Sequence, residues 1–277
     1  MHRHPYFDLF LHDDEELLPY LGSRVLERVT LHEWPLSCVQ QLTLGDGRRL
    51  IYKAQAGPTV EPSFYAHARS GLLPEARTIH GADGHSSTLI EFIDAPLIKD
   101  LALPEAEVAR VGREVLAQIA GIQGELPYRY DITKEGGWRA LVQGLVSHLR
   151  ARIDGGTSGG VSEALVRDLE RWAHSEPVLT AVQARPGYVH RDLTGDNLFV
   201  LPDGYRLIDW QRPILGTTDL DLITLFGSLG FDPLRHVSEG ALRVWLLLQI
   251  HWFRDLDEWI VQYASGLQAP CFVRFGS

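Results

Sequence analysis

Residues 189–200, Val189-His190-Arg191-Asp192-Leu193-Thr194-Gly195-Asp196-Asn197-Leu198-Phe199-Val200, concentrate more chemistry than any other stretch of the chain. Asp192 follows a His by two positions and precedes Asn197 by five, with apolar residues on either side. Twelve positions past Asn197 lies a second acidic element, Leu207-Ile208-Asp209-Trp210. Between them, Pro202-Asp203-Gly204 has the composition of a hairpin turn. Leu198–Val200 and Tyr205–Leu207 are therefore expected to pair and to return Asp209 to the neighbourhood of Asn197. An amide oxygen and a carboxylate are hard ligands, suited to a Mg²⁺ ion that takes few protein ligands and completes its shell with phosphate oxygens and water. Asp192 would then accept a hydrogen bond from an acceptor hydroxyl and orient it. His-Arg-Asp with Asn five residues on is the spelling of a phosphoryl-transfer catalytic loop. A lone His-x-Asp carries little information, and Asp or Asn in a turn is ordinarily a cap. The combination of three such residues, each bordered by an apolar strand, is what singles out the chemistry. His190 reads as a packing and hydrogen-bonding residue, and Arg191 as a loop residue whose partner the sequence does not name.

Toward the N-terminus the pattern is that of a sheet. An acidic helix at Asp13–Leu21 precedes a strand opening at Val25, a second at Ser37–Leu44 and, after the Gly45-Asp46-Gly47 turn, a third ending at Gln55. Gly57-Pro58 interrupts, and Val60–Ser70 reads as a helix stopped by Gly71. Two more strands, Thr78–His80 and Thr88–Ile93, flank the turn-rich Gly81-Ala82-Asp83-Gly84. Lys53 stands in the third strand between apolar neighbours, where an ammonium needs a partner. Nucleotide phosphates would serve, with Glu61 near the start of the next helix positioning the lysine; an exposed strand lysine and a helix-dipole glutamate are the plain readings. Glu91-Phe92-Ile93 is either an adenine-contacting hinge or a strand end.

Beyond this point helices dominate: Pro104–Gln123, with Val108, Val111, Val115 and Ile119 on one face, then Gly136–Ile153, Val161–Ala173, Asp219–Leu229 and Val237–Tyr263. A glycine-rich loop, 155–160, joins the second and third. The expected fold is α+β and bilobal, with a small antiparallel-sheet lobe carrying one helix (1–94) and a larger, mainly helical catalytic and acceptor-binding lobe (95–277). A cleft between lobes suits a cofactor.

Composition bounds the rest. A hydrophobic fraction of 45% and a charged fraction of 22% over 277 residues belong to an ordinary globular chain, which excludes large-scale disorder. The net charge of -10, without a Lys/Arg-rich run, disfavours nucleic acid and anionic membranes as partners. Two cysteines far apart, Cys38 and Cys271, make neither a disulfide scaffold nor a metal-ligand spacing. No apolar window is long enough to span a bilayer, and the acidic N-terminus lacks the apolar core of a secretory signal, so a reducing cytoplasm is the expected setting.

The pieces Tyr52-Lys53, Glu61, Leu89-Ile90-Glu91-Phe92, Val189–Val200 and Leu207–Trp210 resemble, in order, the aminoglycoside phosphotransferase and choline kinase-like family with the protein-kinase-like fold. That resemblance implies Asp192 as catalytic aspartate and Asn197 and Asp209 as magnesium ligands. It also implies Lys53 on the phosphates of ATP (or GTP), Glu61 anchoring Lys53, and an Asp near Asp219 or Asp221 bracing the catalytic loop. The implied acceptor is a hydroxyl of a small polar metabolite, such as an amino alcohol or sugar, or of an aminoglycoside-type antibiotic. Departures are present. Arg191 stands where most of the family has Gly, and Glu33–Ser37 lacks the glycines of a phosphate-covering loop, although Ser37 could approach the β-phosphate. Trp210 replaces the Phe-Gly of protein kinases, and 211–219 is too short for a regulated activation loop, which makes a protein kinase the weaker alternative. A nucleotide-binding module without transferase activity is the other. In the helical lobe Trp245, Trp252 and Trp259 recur every seven residues, as a core stripe or an aromatic wall for a ligand, and Asp255, Asp257 and Glu258 are either solvated or a site for amino groups. Neither acceptor nor oligomeric state follows from the sequence.

Overall fold

The structure, a computed structural model, describes residues 1–57, 59–80, 86–157 and 160–264, and side chains as far as 255. The Gly81–Gly84 turn, Pro58, part of the 155–160 loop, Cys271 and the side chains of Asp257, Glu258 and Trp259 lie outside the described residues.

A side-chain period of two organises the first lobe. Two short paired strands, β1 (His2–Arg3) and β2 (Phe10–Leu11), precede helix α1 (Asp14–Leu21). Then come β3 (Val25–Trp34), β4 (Ser37–Leu44) and β5 (Arg49–Gln55), helix α2 (Glu61–His67), and β6 (Ala76–His80) and β7 (Ser86–Glu91). Strands β3 to β7 form one antiparallel sheet in the order β3-β4-β5-β7-β6. Cys38, Leu42 and Leu44 of β4 join Tyr52 and Ala54 of β5 in a small core against Leu17 and Leu21 of α1. Alternation then turns Ile51 and Lys53 to the opposite face, with Val39 directly across from Lys53 in register. Lys53 is carried inward because its two neighbours fill the outer core.

The second lobe contains α3 (Glu105–Ala120), α4 (Gly137–Asp154), α5 (Glu163–Ala173) and α6 (Glu176–Gln183). Four short strands follow, β8 (Pro186–Val189), β9 (Leu198–Leu201), β10 (Gly204–Leu207) and β11 (Ile214–Thr217), and then α7 (Asp219–Ser228) and α8 (Glu239–Ala264). Val108, Val111, Val115 and Ile119 line the buried face of α3, as their spacing requires. β9 and β10 pair as the expected hairpin, and the Ile208 N–H donates to the Asn197 carbonyl at 3.0 Å. One large core runs from Phe64, Leu72 and Ile90 of the first lobe through Leu193, Leu198 and Trp210 to Val244 and Leu248 of α8. Among the described residues no helix is long and apolar enough to cross a membrane.

Three local expectations need correction. The helix expected over Val60–Ser70 ends at His67, because Arg69 exchanges backbone hydrogen bonds with Gln123 (2.9 and 3.0 Å), which a continuing helix would forbid. Helix α6 was not expected, although Ser175 and Pro177 are start signals; at eight residues it is too short to show a clear apolar period. Strand β11 lies inside 211–219, a segment too short for a regulated activation loop and assigned no strand from sequence, and it pairs antiparallel with β8.

Helix α8 docks on α6 at a glycine. A Cβ at Gly240 would stand 2.1 Å from the Pro177 carbonyl oxygen, so Gly240→Ala, although it favours helix, is expected to destabilise the protein by about 1–3 kcal/mol. Thermal or urea unfolding of the variant checks this; an unchanged or raised stability would contradict the close approach.

Candidate functional site

The Lys53 ammonium lies 2.7 Å from Glu61 Oε2 and 2.5 Å from Asp209 Oδ1, with Lys53 and Glu61 both buried. Three charges thus meet, two negative and one positive. Burial acts to strip the proton from Lys53, but the two carboxylates outweigh it and hold the amine above its ordinary range. Burial also favours protonation of Asp209, and the ammonium overrides this, leaving Asp209 below the usual carboxylate range. Glu61, wholly inside the protein, is pushed upward by burial against the pull of Lys53. Glu61 Oε1 also accepts the Trp210 N–H at 3.2 Å, so one carboxylate holds both the lysine and the chain just past Asp209.

The loop before β9 is fixed from beneath. Asp221, at the start of α7 and fully buried, accepts the backbone N–H of His190 and of Arg191, each at 2.8 Å. Burial pushes its carboxyl up to about 7, against those two donors. Asp219 faces elsewhere and pairs with Arg185 at 2.8 Å. His190 Nδ1 receives the Asp192 N–H at 3.1 Å, which assigns the ring proton to Nε2 and its bond to the Ile208 carbonyl at 3.1 Å. Burial lowers this imidazole to about 4, so it serves as a neutral brace, as the sequence suggests, and not as a proton carrier. Trp210 packs edge-on to His190 (4.3 Å between centroids) and face-on to Phe64 of α2 (4.2 Å).

Asp192 is held by Asn197 and Arg212. Asn197 Nδ2 donates to the Asp192 carbonyl at 2.8 Å and reaches its Oδ2 at 3.4 Å. Arg212 Nη2 lies 3.2 Å from the same Oδ2, and the Arg212 guanidinium stacks 4.0 Å above the Trp252 ring of α8. Burial raises the Asp192 carboxyl above its ordinary range, with Arg212 opposing. Gln211 Nε2 donates to Asp209 Oδ1 at 2.6 Å.

Three cavities adjoin these residues. The largest, about 670 Å³, is lined by Lys53, Glu61, Asn197 and Asp209, and by Glu91, Phe92 and Ile93 with apolar Val39, Ile51, Ile90 and Phe199. A second, about 180 Å³, shares Lys53 and Asp209 with the first and adds Asp192, Arg212 and Trp252. A third, about 450 Å³, shares Asp192 and Arg212 with the second and extends to Arg191, Thr224, Trp245 and Gln249. The seven expected nucleotide and metal residues therefore line one cavity, and Asp192 stands at the junction with the space beyond. Within Glu91-Phe92-Ile93, the Glu91 N–H is already engaged by the Glu75 carbonyl at 2.8 Å, the Glu91 carboxylate lies 3.6 Å from Arg206, and Arg49 covers the Phe92 ring at 3.9 Å.

Other expectations meet different fates. Ser37 Oγ receives the Trp34 indole N–H at 2.7 Å. Asp255 is enclosed by Arg129 (3.3 Å) and Arg254 (2.5 Å) and is not an open site for amino groups. The tryptophan stripe divides: Trp245 donates to Thr224 Oγ1 at 2.9 Å beside the third cavity, while Trp252 carries Arg212 beside the second. Sequence reasoning missed Gln211 and Arg212, whose only signal is their place two and three residues after Asp209.

A family model described as "Phosphotransferase enzyme family" matches residues 61–258. No curated protein matches the chain in sequence. Among solved structures, a choline/ethanolamine kinase family protein from Mesorhizobium loti superposes with a TM-score of 0.57 at 16% identity, over 93% of this chain and 87% of that one. Aminoglycoside-3'-phosphotransferase of type VIII does so with 0.55 at 20% identity, over 87% and 100%. Macrolide 2'-phosphotransferase from Brachybacterium faecium gives 0.54 at 15% identity, over 91% of each chain. At such identities the likeness is one of fold.

Removing the brace should be costly. Asp221→Ala leaves two buried N–H groups unpaired and is expected to lower the unfolding free energy by about 2 kcal/mol, read by urea titration. His190 supplies a pH signature. Its folded pKa lies below the unfolded value, so its contribution is complete above about 6.5 and is lost as the pH falls toward about 4. The stability advantage of wild type over His190→Gln should therefore shrink by about 3 kcal/mol across that window; an advantage that grows on acidification would refute the neutral-brace assignment.

Proposed function

The chain belongs to the phosphotransferase enzyme family, and from that premise we propose that it moves the γ-phosphate of ATP, with GTP as the alternative donor, to a hydroxyl of a small molecule in a magnesium-dependent reaction. The single observation that carries this reading is the junction position of Asp192, between the cavity walled by Lys53, Asn197 and Asp209 and the cavity beyond. Residues 1–94 would form the nucleotide-binding lobe and 95–277 the catalytic and acceptor-binding lobe.

The donor set suits the metal. Asn197 commits its Nδ2 to the Asp192 carbonyl, which leaves its amide oxygen for a cation, and Asp209 brings a carboxylate to the same wall. Two hard oxygen ligands, beside a cluster in which the Glu61 and Asp209 carboxylates face the single Lys53 ammonium, fit Mg²⁺. Bound there, the ion would supply charge neutralisation to the phosphate oxygens during transfer. Lys53, anchored by Glu61, would bind the phosphates as a fixed cation. The apolar lining and Glu91-Phe92-Ile93 would cover the adenine, with the Phe92 and Ile93 backbone better placed to bond it than the occupied Glu91 N–H. Asp192 would accept a hydrogen bond from the acceptor hydroxyl and take its proton as the new bond forms. Burial makes this carboxylate more basic and Arg212 restrains that, so most of the rate gain comes from positioning and charge stabilisation.

A protein-kinase reading is weakened by β11, because its pairing with β8 occupies the segment where a regulated loop would lie. A nucleotide-binding module without transferase activity is weakened by the intact set Lys53, Glu61, Asp192, Asn197 and Asp209. The chain's setting remains the expected cytoplasm, and its acceptor an antibiotic or a polar metabolite.

Asp192→Ala is expected to lower acceptor-dependent ADP release by about 10²–10⁴ while keeping Mg·ATP affinity near wild type. A coupled ADP assay with a binding titration checks both. Full turnover in the variant would remove Asp192 from catalysis, and Mg·ATP binding with no product from a broad acceptor panel would favour the non-transferase reading.

A further inference from the structure

The third cavity, beside Asp192, has an unexpected charge pattern. Among the described residues that line it, Asp192 carries the only carboxylate, and the two other charged residues are Arg191 and Arg212. The remaining wall is neutral, with Thr194, Thr224, Ser228 and Gln249 on the polar side and Trp245 on the apolar. A polycationic acceptor would meet two like charges here, and Asp255, farther along α8, is enclosed by its own arginines.

Arg191 is held at a cost that its local contacts do not repay. Its φ of +74° lies in the left-handed region, where a side chain costs about 1–2 kcal/mol relative to glycine. Only 6% of the residue is exposed, and burying a cation is expensive even where, as here, the Asp221 and Asp192 carboxylates are near enough to attract it. Both Asp221 oxygens are engaged by backbone N–H groups, and Asp192 Oδ2 faces Arg212. The guanidinium donates through Nη2 to the Leu248 carbonyl at 3.3 Å, whereas the buried Nη1 has no hydrogen-bond partner among the described residues. A strained, desolvated and under-satisfied cation in a cavity wall is the signature of a group waiting for a ligand.

We propose that the acceptor is a hydroxyl compound bearing an anionic group, a carboxylate or a phosphate, which binds the Arg191 guanidinium in the wall of this cavity while its hydroxyl reaches Asp192. The inference rests on the phosphotransferase reading and narrows its substrate class. Planar guanidinium donors match either oxyanion. Arg212, facing Asp192 and stacked on Trp252, adds positive potential at the cavity mouth.

The test uses the full chain, wild type, Arg191→Gly and Arg191→Lys, with two matched acceptor series. One comprises glycerate, glycerol 3-phosphate, glycerol and 3-aminopropane-1,2-diol; the other glucuronate, glucose 6-phosphate, glucose and glucosamine. Arg191→Gly relieves both the backbone strain and the buried charge, so it should fold with a melting temperature at or above wild type. The expected result is ADP release favouring the anionic members, with their KM raised at least tenfold in Arg191→Gly and partly restored in Arg191→Lys. Preference between carboxylate and phosphate members identifies the anion. Preference for neutral or amine members, or an anionic preference untouched by Arg191→Gly, overturns the proposal. Should no compound release ADP, the transfer reading fails separately, and binding decides the inference. With ADP and Mg²⁺ present, anionic members must raise the melting temperature of wild type and not of Arg191→Gly, and absence of that difference overturns it.

Discussion

Lys53 reaches two carboxylates that come from different parts of the chain, Glu61 at the head of α2 and Asp209 just past β10. This shared ammonium ties the sheet lobe to the helical lobe at the point where the largest cavity opens. It can do so only because β5 alternates, with Tyr52 and Ala54 drawn to the outer core and Lys53 turned inward. It also requires the β9–β10 hairpin, whose closure sets Asp209 beside Asn197. Buried charge pairs are costly to assemble, and losing one partner leaves an uncompensated ion. The surroundings answer that demand: Glu61 is enclosed, the Trp210 N–H supports it, and Trp210 is clamped between Phe64 and His190.

Strain gathers around the same centre. Asp209 and Arg191 both adopt positive φ, +71° and +74°, in a region that side chains rarely occupy. Such conformations persist when the surroundings over-determine them. Asp209 is gripped by Lys53 and Gln211 through one oxygen, and the peptide N–H groups of His190 and Arg191 are pinned by Asp221. The two strained residues flank the hairpin and aim its acidic groups at the cavities. Geometry of this kind is cheaper to hold in a rigid frame than to assemble on binding.

Much of this was legible in the sequence because it is local. The hairpin, the turn at Gly45–Gly47 and the apolar face of α3 follow from period and turn chemistry, and the acidic residues of the loop come with them. The Lys53–Glu61 pair was also readable, since β5 and α2 are consecutive and a lysine between apolar strand residues asks for a partner. What escaped notice depends on tertiary pairing. β11 holds only four residues with Gly216 inside, and it exists because β8 offers it an edge. Arg212 looks like any loop arginine until α8 brings Trp252 beneath it. Asp255 reads as an open acidic residue until Arg129, 126 positions away, closes on it. The resemblance left Asp219 and Asp221 both open as the brace of the loop, and the folded chain selects Asp221, which takes the His190 and Arg191 N–H groups.

The central claim is that Lys53, Asn197 and Asp209 form one phosphate and metal site facing Asp192. A crystal structure of the chain with a non-hydrolysable ATP analogue and Mg²⁺ tests it most directly. The expected result is adenine against Phe92 and Ile93, phosphates on Lys53, the ion on Asn197 and Asp209, and the terminal phosphate turned toward Asp192. A nucleotide bound elsewhere, or a terminal phosphate directed away from Asp192, would contradict it.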